Sequence, residues 1–199
     1  MKSIFDKTIS LIVILFFSPL FILISILIKI LSPGPIIFKH KRIGMGGKKF
    51  FCYKFRTMVI GSEDILEEYL KNDTDLKKEW EENFKLKNDP RLTRLGVFLR
   101  TSSLDELPQL FNVIKGDMSL VGPRPIVQKE IEKYGNEILD YYSVLPGITG
   151  VWQVNGRSDT SYRERVIMDS WYVKNRSLIL DIKLLIKTVK KVLIKEGAY

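Results

Sequence analysis

The sequence predicts an α/β domain, mostly helical, attached to a membrane by an N-terminal hydrophobic helix. An almost wholly apolar run occupies residues 9–28 of the 199-residue chain. Two short stretches with strand-like alternation follow, and much of the remainder has the spacing of amphipathic helices. The length leaves room for one domain of ordinary size. We therefore expect a membrane segment over residues 1–35 and one domain over residues 36–199.

The apolar run is interrupted only by Ser10, Ser18, Pro19 and Ser25. Twenty helical residues rise about 30 Å, enough to cross the hydrocarbon core. The segment that follows, residues 29–33, offers no small-residue cleavage site, so a membrane helix is favoured over a signal peptide.

Basic residues flank this run on both sides, which places both of its ends on the cytoplasmic side under the positive-inside rule. They are Lys2 and Lys7 before it and Lys29, Lys39, His40, Lys41 and Arg42 after it. Ser18-Pro19 lies at the midpoint, where proline removes a backbone hydrogen bond and bends the helix. A re-entrant helix hairpin reconciles these facts, and a kinked single-pass anchor is the alternative.

A predicted hairpin follows the membrane segment. Ser32-Pro-Gly-Pro35 ends the helix, residues 36–41 are extended, and Gly44–Gly47 form a turn before a strand over residues 48–56. Taken by themselves, Lys54 and Arg56 on this strand are compatible with a solvated basic strand edge.

Residues 62–86 are compatible with one or two amphipathic helices, and a turn follows at residues 88–91. Residues 95–99 lead into a segment that is preceded by Arg100. That arginine either belongs to a site or pairs structurally with an acidic residue.

The segment from Thr101 to Pro125 carries the most chemical information. It places two adjacent carboxylates, Asp105 and Glu106, a short helical stretch before Arg124, which Pro123 and Pro125 flank. Carboxylates hold a hard metal ion or act as nucleophiles, and a guanidinium binds phosphate through its planar fork. The combination indicates phosphoryl chemistry.

Ser103-Leu-Asp-Glu106 also fits a capping box at the start of a helix, with Pro108 compatible with a nearby helix start. The structural and the chemical interpretations can coexist, because a helix N-terminus would keep a carboxylate ionised.

Residues 146–157 are expected to form a loop punctuated by glycine that carries Gln153, Asn155 and Arg157, and a turn-rich loop that only packs would have the same pattern. A helix capped by Asp159 or Thr160 should then run to about Lys174. The last helix, residues 177–196, combines an apolar stripe with lysines. This combination suits a helix lying in an anionic membrane interface, and a helix packed on the core with a solvated basic face is the alternative.

The formal net charge of +9 points to an anionic partner. The hydrophobic N-terminus favours lipid and a nucleotide over nucleic acid. The single histidine, His40, argues against a His-rich zinc site or a Ser-His-Asp triad, so any metal should be a hard cation such as Mg²⁺. The single cysteine excludes an internal disulfide.

The Thr101–Pro125 segment resembles the catalytic stretch of the bacterial sugar transferases, the small monotopic phosphoglycosyl transferases. Further similarities cover nearly the whole chain, from Phe5-Asp6 to Trp171-Tyr172 and beyond. They include Ser18-Pro19, the Pro-Gly-Pro and Arg-x-Gly turns, Tyr53–Met58 and Pro146–Gly150.

The resemblance implies transfer of a sugar phosphate from a UDP-sugar to polyprenol (undecaprenyl) phosphate, with release of UMP. Asp105 would be the nucleophile, and Glu106 would assist Mg²⁺ binding, with Asp105 itself as a further metal ligand. The basic residues Arg124, Arg100, Lys54 and Arg56 would contact phosphate, and Gln153, Asn155 and Arg157 the nucleotide or sugar. Ser18-Pro19 would be the break of a re-entrant helix.

The implied location is the cytoplasmic face of a bacterial inner membrane, in the first membrane step of glycan assembly. The chain would lack the extra transmembrane helices and accessory domain of larger members. The oligomeric state stays open, a homodimer included, as does the sugar. The alternative functions are a membrane-anchored lipid- or nucleotide-binding protein and a glycosyltransferase that releases UDP.

Overall fold

The computed structural model describes residues 2–73, 76–78, 80, 86, 89–156 and 160–194. These residues are mostly helical, as predicted. The helices described are α1 (Lys2–Phe16), α2 (Ser18–Leu31), α3 (Ser62–Asn72), α4 (Arg94–Thr101), α5 (Gln109–Lys115), α6 (Ile131–Tyr134), α7 (Ile138–Tyr142), α8 (Val151–Asn155), α9 (Tyr162–Asn175) and α10 (Leu178–Ile194). The strands are β1 (Ile37–Ile43), β2 (Lys49–Phe55), β3 (Ser119–Val121) and β4 (Gly147–Thr149).

The N-terminal apolar run forms two helices that meet at Ser18-Pro19, which confirms the predicted break. Pro19 has no N–H to offer the carbonyl of Leu15, and the hydroxyl of Ser18 donates to that carbonyl instead, at 2.8 Å. Among the described residues no single helix has the length and hydropathy of a membrane span. The α1–α2 pair meets both criteria together, with a bend of 64°.

Both helices of this pair divide into a packed and an exposed face. Ile24 and Ile28 of α2 are buried in a cluster with Phe55 and Leu99, and Ile9 and Val13 of α1 pack on the main core. The opposite face exposes large apolar side chains, namely Ile4, Leu11, Ile12, Leu15, Phe16, Ile22, Leu23, Ile26, Ile30 and Leu31.

The predicted hairpin is present. Strands β1 and β2 pair antiparallel, with His40 opposite Cys52 and Lys39 opposite Tyr53. Gly46 and Gly47 in the connecting turn have φ values of 65° and 74°, in the region where glycine is favoured.

The predicted capping box at Ser103 is wrong. Ser103 adopts a left-handed conformation with φ 56°, and its side chain caps nothing among the described residues. Residues 104–106 form a short 3₁₀ turn, and α5 begins only at Gln109 with Pro108 as its N-cap. Asp105 and Glu106 therefore lie before the helix, outside its first turn.

The described part of the 146–157 segment, residues 146–156, is not the loop that was expected. It forms β4, which pairs parallel with β3, and then α8. The two strands approach closely at Gly122 and Gly147, where a Cβ on Gly147 would lie 2.1 Å from the Gly122 nitrogen. Side chains are excluded there, so the strand pair needs glycine.

Helix α9 is capped by Ser161, whose hydroxyl accepts from the Glu164 amide in a capping box. Neither predicted cap fills this role: Thr160 precedes the cap, and Asp159 lies outside the described residues. Helix α10 buries Asp181 and Leu184, while Ile179, Ile182, Ile186 and Val189 are exposed. It therefore packs on the core and still presents the predicted apolar stripe outward.

Candidate active site

Lys54 lies between the two predicted carboxylates. Its Nζ is 2.6 Å from Oε1 of Glu106 and 3.4 Å from Oδ2 of Asp105. Asp105 is buried, with 6% of its surface exposed, whereas Lys54 and Glu106 are half-buried. The alternative interpretation of Lys54 as a solvated strand edge is therefore excluded.

The two carboxylates differ in their electrostatics. Burial raises the pKa of Asp105, and the neighbouring Glu106 charge adds to this, while Lys54 and Arg100 oppose it. Burial also disfavours the ionised form of Glu106, but the charges of Lys54 and Arg124 outweigh this effect and lower the pKa of Glu106. Adjacent acids whose pKa values are pushed apart can take different roles in a reaction.

Arg124 is held through its backbone on both sides. The carbonyl of Pro123 accepts from the Gly147 amide at 2.8 Å, and the carbonyl of Ile126 accepts from the Ile43 amide at 2.9 Å. The guanidinium of Arg42 donates to the carbonyl of Pro125 at 3.2 Å. The Pro-Arg-Pro segment is thus fixed between β4 and β1.

The side chain of Arg124 lies over Trp152, with Cζ 5.9 Å from the ring centroid. The guanidinium of Arg165 lies over the same ring at 4.8 Å. Stacking on an indole orients a guanidinium while leaving its N–H groups available to an anion.

An open pocket, whose volume of about 270 Å³ includes open solvent, lies between Lys54, Glu106 and Arg124. Asp105 is not among its lining residues and adjoins it through the contact with Lys54. The lining residues are Arg42, Cys52, Lys54, Glu106, Gln109, Arg124, Pro125, Gly147, Ile148 and Gln153. Three of them are cationic and one is a carboxylate, so the pocket favours an anionic ligand. Burial lowers the pKa of His40 to about 4, and the charges of Arg42, Lys54 and Arg124 add to this effect. The His40 imidazole is therefore neutral at pH 7.

The other predicted site residues are placed differently. Arg100 donates to the hydroxyl of Thr57 at 3.1 Å and does not line the pocket. Its positive charge still favours the ionised form of Asp105 and so opposes the rise in the pKa of that residue. Arg56 is buried against the turn after α2, where it donates to the carbonyl of Ser32. This burial turns it away from the pocket, so the structure does not group Arg56 with the other cations.

The candidate ligand contacts predicted in the 146–157 segment do not all lie at the pocket. Gln153 lines the pocket, whereas Asn155 is exposed at the end of α8 and is not among the lining residues. Arg157 lies outside the described residues.

Sequence reasoning missed Arg42, Gln109 and Ile148 as pocket residues. Arg42 belongs to the Arg-x-Gly turn, which was a detectable signal. The positions of Gln109 and Ile148 in the pocket depend on tertiary packing that brings α5 and β4 to the same pocket, which local pattern does not reveal.

The described residues contain no group of three or more His, Cys, Asp or Glu side chains arranged to hold a metal. The adjacent carboxylates of Asp105 and Glu106 nevertheless fit Mg²⁺. This ion commonly uses one or two protein carboxylates and completes its shell with water and substrate phosphates.

Comparison with known proteins gives consistent matches. A family model described as "Bacterial sugar transferase" matches residues 1–195. An undecaprenyl-phosphate galactose phosphotransferase of Salmonella typhimurium is 53% identical over 199 residues, covering 100% of this chain and 42% of that protein. The exopolysaccharide production protein ExoY of Rhizobium meliloti is 46% identical over 198 residues, covering 100% of this chain and 88% of that protein.

A UDP-glucose:undecaprenyl-phosphate glucose-1-phosphate transferase of Xanthomonas campestris is 39% identical over 206 residues, covering 100% of this chain and 40% of that protein. The chain thus spans about two-fifths of the length of the Salmonella and Xanthomonas proteins.

Proposed function

Because this chain belongs to the bacterial sugar transferase family, we propose that it transfers a sugar 1-phosphate from a UDP-sugar to polyprenol phosphate and releases UMP. The observation that carries this proposal is the convergence of Arg42, Lys54 and Arg124 on one pocket beside Asp105 and Glu106. A diphosphate needs such cations, and the carboxylate pair supplies a nucleophile. The names of the Salmonella and Xanthomonas relatives support the same reaction class with different sugars, so the sugar itself stays open.

The proposed route has two displacements at one phosphorus. A carboxylate oxygen of Asp105 attacks the β-phosphorus of the UDP-sugar, the bond to the α–β bridging oxygen breaks, and UMP leaves with that oxygen. An oxygen of polyprenol phosphate then attacks the same phosphorus and releases the Asp105 carboxylate. The covalent intermediate avoids bringing two anionic substrates together in a single step.

Asp105 must be ionised to attack, although burial raises its pKa. Lys54 and Arg100 oppose that effect and favour the carboxylate form. Partial desolvation also makes an ionised carboxylate a stronger nucleophile, because less water has to be displaced from it. Arg124 and Arg42 would hold the phosphates in line. Asp105 and Glu106 would also supply protein oxygens for Mg²⁺, which offsets diphosphate charge when bound.

We further propose that α1 and α2 form a re-entrant membrane hairpin on the cytoplasmic face of a bacterial inner membrane. Both ends of the pair contact the same domain, through Lys2 with Asp181 at 2.6 Å and through the Ser32 carbonyl with Arg56. The exposed apolar face of α10, with Lys183, Lys187 and Lys190 beside it, suits an anionic lipid surface.

The test is a single-turnover reaction of the full chain with Mg²⁺ and a panel of UDP-sugars in the absence of polyprenol phosphate. We expect about one equivalent of UMP and a phosphosugar adduct on the peptide that contains Asp105, as for ping-pong chemistry. Asp105→Asn should abolish both, and Glu106→Gln should be impaired. Glu137→Gln is the matched control, since Glu137 pairs with Arg163 away from the pocket.

Each other outcome counts against a defined part of the proposal. An active preparation that releases no UMP until lipid is added would contradict the covalent route. Release of UDP would indicate transfer of the sugar alone. Absence of turnover with lipid and every UDP-sugar would favour a binding protein.

A further inference from the structure

Asn112 of α5 is fully buried, with 0% of its surface exposed, and its side-chain amide bonds to the backbone of β2. Its Nδ2 donates to the carbonyl of Phe51 at 2.7 Å, and its Oδ1 accepts from the amide of Tyr53 at 3.0 Å. Both groups belong to the edge of β2 that faces away from β1. The Asn112 amide therefore pairs with β2 as a neighbouring strand would.

The two hydrogen bonds bracket Cys52 and end immediately before Lys54. Side chains alternate along a strand, so Cys52 and Lys54 share a face, and both line the pocket. Fixing the backbone at Phe51 and Tyr53 therefore fixes the point from which the Lys54 side chain extends toward the two carboxylates.

The backbone of Asn112 makes a second set of contacts. Its carbonyl accepts from the amides of Gly116, Asp117 and Met118, at 3.1, 3.0 and 3.3 Å. These residues form the turn from α5 into β3, which leads to Arg124. The 3₁₀ turn with Asp105 and Glu106 precedes α5 directly. Asn112 thus joins the three backbone segments that carry the site.

We propose that Asn112 is a positioning residue that sets the reach of Lys54 to Asp105 and Glu106. Lys54 holds Glu106 at 2.6 Å and Asp105 at 3.4 Å, distances that tolerate little displacement of β2. A misplacement of about 1 Å at a reacting centre can cost about 100-fold in rate. The effect of this role on turnover rests on the proposed function. The clamp, by which we mean the two hydrogen bonds from the Asn112 side chain to the backbone of Phe51 and Tyr53, can be measured without turnover.

The first measurement is amide hydrogen exchange at single-residue resolution on the full-length wild type. The Tyr53 amide lies on an edge that no strand covers among the described residues, so it should exchange rapidly without Asn112. We expect it to be protected to within about tenfold of the neighbouring Cys52 and Lys54 amides, which face β1. Rapid exchange of Tyr53 in the wild type would overturn the clamp, whether or not any variant folds and whether or not the enzyme turns over.

The second measurement uses Asn112→Ala, with Thr188→Val as the matched control. The control removes the 2.7 Å hydrogen bond between the hydroxyls of Thr188 and Thr149, two residues that do not line the pocket. Asn112→Ala should expose the Tyr53 amide and speed the labelling of Cys52, the single cysteine of the chain, by a small thiol reagent. Thr188→Val should change neither. Equal effects of both variants would mean that Asn112 has only a general structural role.

The third measurement is a double-mutant cycle on single-turnover UMP release. Asn112→Ala should lower the rate about 100-fold with little change in KM. In a Lys54→Met background the same change should cost less than about threefold, because the residue through which Asn112 acts is gone. Additive losses would overturn the positioning role. A wild type that releases no UMP would refute the proposed function while leaving the exchange result as the test of the clamp.

Discussion

Lys54 shows how the candidate site depends on single side chains. Its ammonium group contacts both Asp105 and Glu106, although 51 and 52 positions separate it from them along the chain. The resulting ion pairs keep Glu106 ionised and oppose the protonation of Asp105. The division of roles between two adjacent acids therefore originates from a residue on another element.

Arg124→Lys should lower kcat/KM roughly 100-fold, the loss typical of removing one preorganised donor. Lysine cannot reproduce the planar fork or the stacking on Trp152, which holds the guanidinium 5.9 Å from the ring centroid. UMP release measured over a range of UDP-sugar concentrations tests this. Arg163→Lys, on an exposed arginine paired with Glu137, should remain near wild type. Near-normal turnover of the Arg124 variant would assign that residue a structural role.

Asp169 predicts a pH dependence of stability. Burial raises its pKa to about 7, even though the Tyr134 hydroxyl, Arg124 and Arg165 act in the opposite direction. The pKa in the folded state lies above the unfolded value of 3.8, so the contribution of Asp169 is fully present below about pH 4 and is lost as the pH rises to about 7.

The wild type should therefore lose stability relative to Asp169→Asn across that window, at up to about 1.4 kcal/mol per pH unit. Thermal unfolding of both proteins between about pH 4.5 and pH 7.5 measures the difference. Parallel pH profiles would contradict the prediction.

At the scale of elements, the break between α1 and α2 combines a missing donor with its replacement. Pro19 has no N–H to donate to the Leu15 carbonyl, and the hydroxyl of the preceding residue, Ser18, donates to that carbonyl instead. The carbonyl thus stays satisfied inside an apolar segment, where an unpaired group costs several kcal/mol. A stable bend in a membrane helix requires such compensation.

For a re-entrant hairpin, an impermeant thiol reagent should label neither Ser3→Cys nor Lys39→Cys in intact cells, each in a Cys52→Ser background. Both positions are exposed on the protein, so both should react after permeabilisation. Pro19→Ala restores the backbone donor and should move the Ser3→Cys readout toward outside labelling. Outside labelling of Ser3→Cys without that change would indicate a spanning helix.

Across the whole molecule, a buried polar cluster joins the N-terminal helix to the domain. Asp181 accepts from Lys2 and from the Tyr172 hydroxyl, both at 2.6 Å, and Asp6 accepts from Ser119 at 2.7 Å. Tyr172 also donates to the carbonyl of Val121 at 3.0 Å. The cluster thus ties α1, α9 and α10 to β3, the strand that leads to Arg124.

Asp181→Ala should destabilise the protein by about 1–3 kcal/mol, because it removes two hydrogen bonds from a residue that is 1% exposed. For a chain of this size the melting temperature should fall by roughly 2–12 °C. Asp181→Asn keeps an acceptor for Tyr172 and should lose less. An unchanged melting temperature for Asp181→Ala would mean that the cluster does not hold α1 in place.

Local pattern predicted several elements because their causes are local. The bend at Ser18-Pro19, the β1–β2 hairpin around Gly46-Gly47 and the amphipathic α10 follow from proline, glycine and apolar spacing. The predicted capping box was wrong because Ser103, between α4 and the 3₁₀ turn, adopts a left-handed conformation in which its side chain makes no capping hydrogen bond. The predicted loop in the 146–157 segment was wrong because β4 forms only by pairing with β3. That pairing needs the close approach of Gly122 and Gly147, which are too far apart in the sequence for local pattern to reveal it.

The sequence by itself determined which groups are present: two adjacent carboxylates, an arginine between prolines, and a proline-broken apolar run. Only the tertiary structure decided which of these groups meet. It brought Lys54 and Arg42 to the pocket, buried Arg56 against the turn after α2, and anchored β2 on Asn112. The reason is physical. A charged side chain that leaves water needs a partner, and in this protein the partners come from residues far apart in the chain.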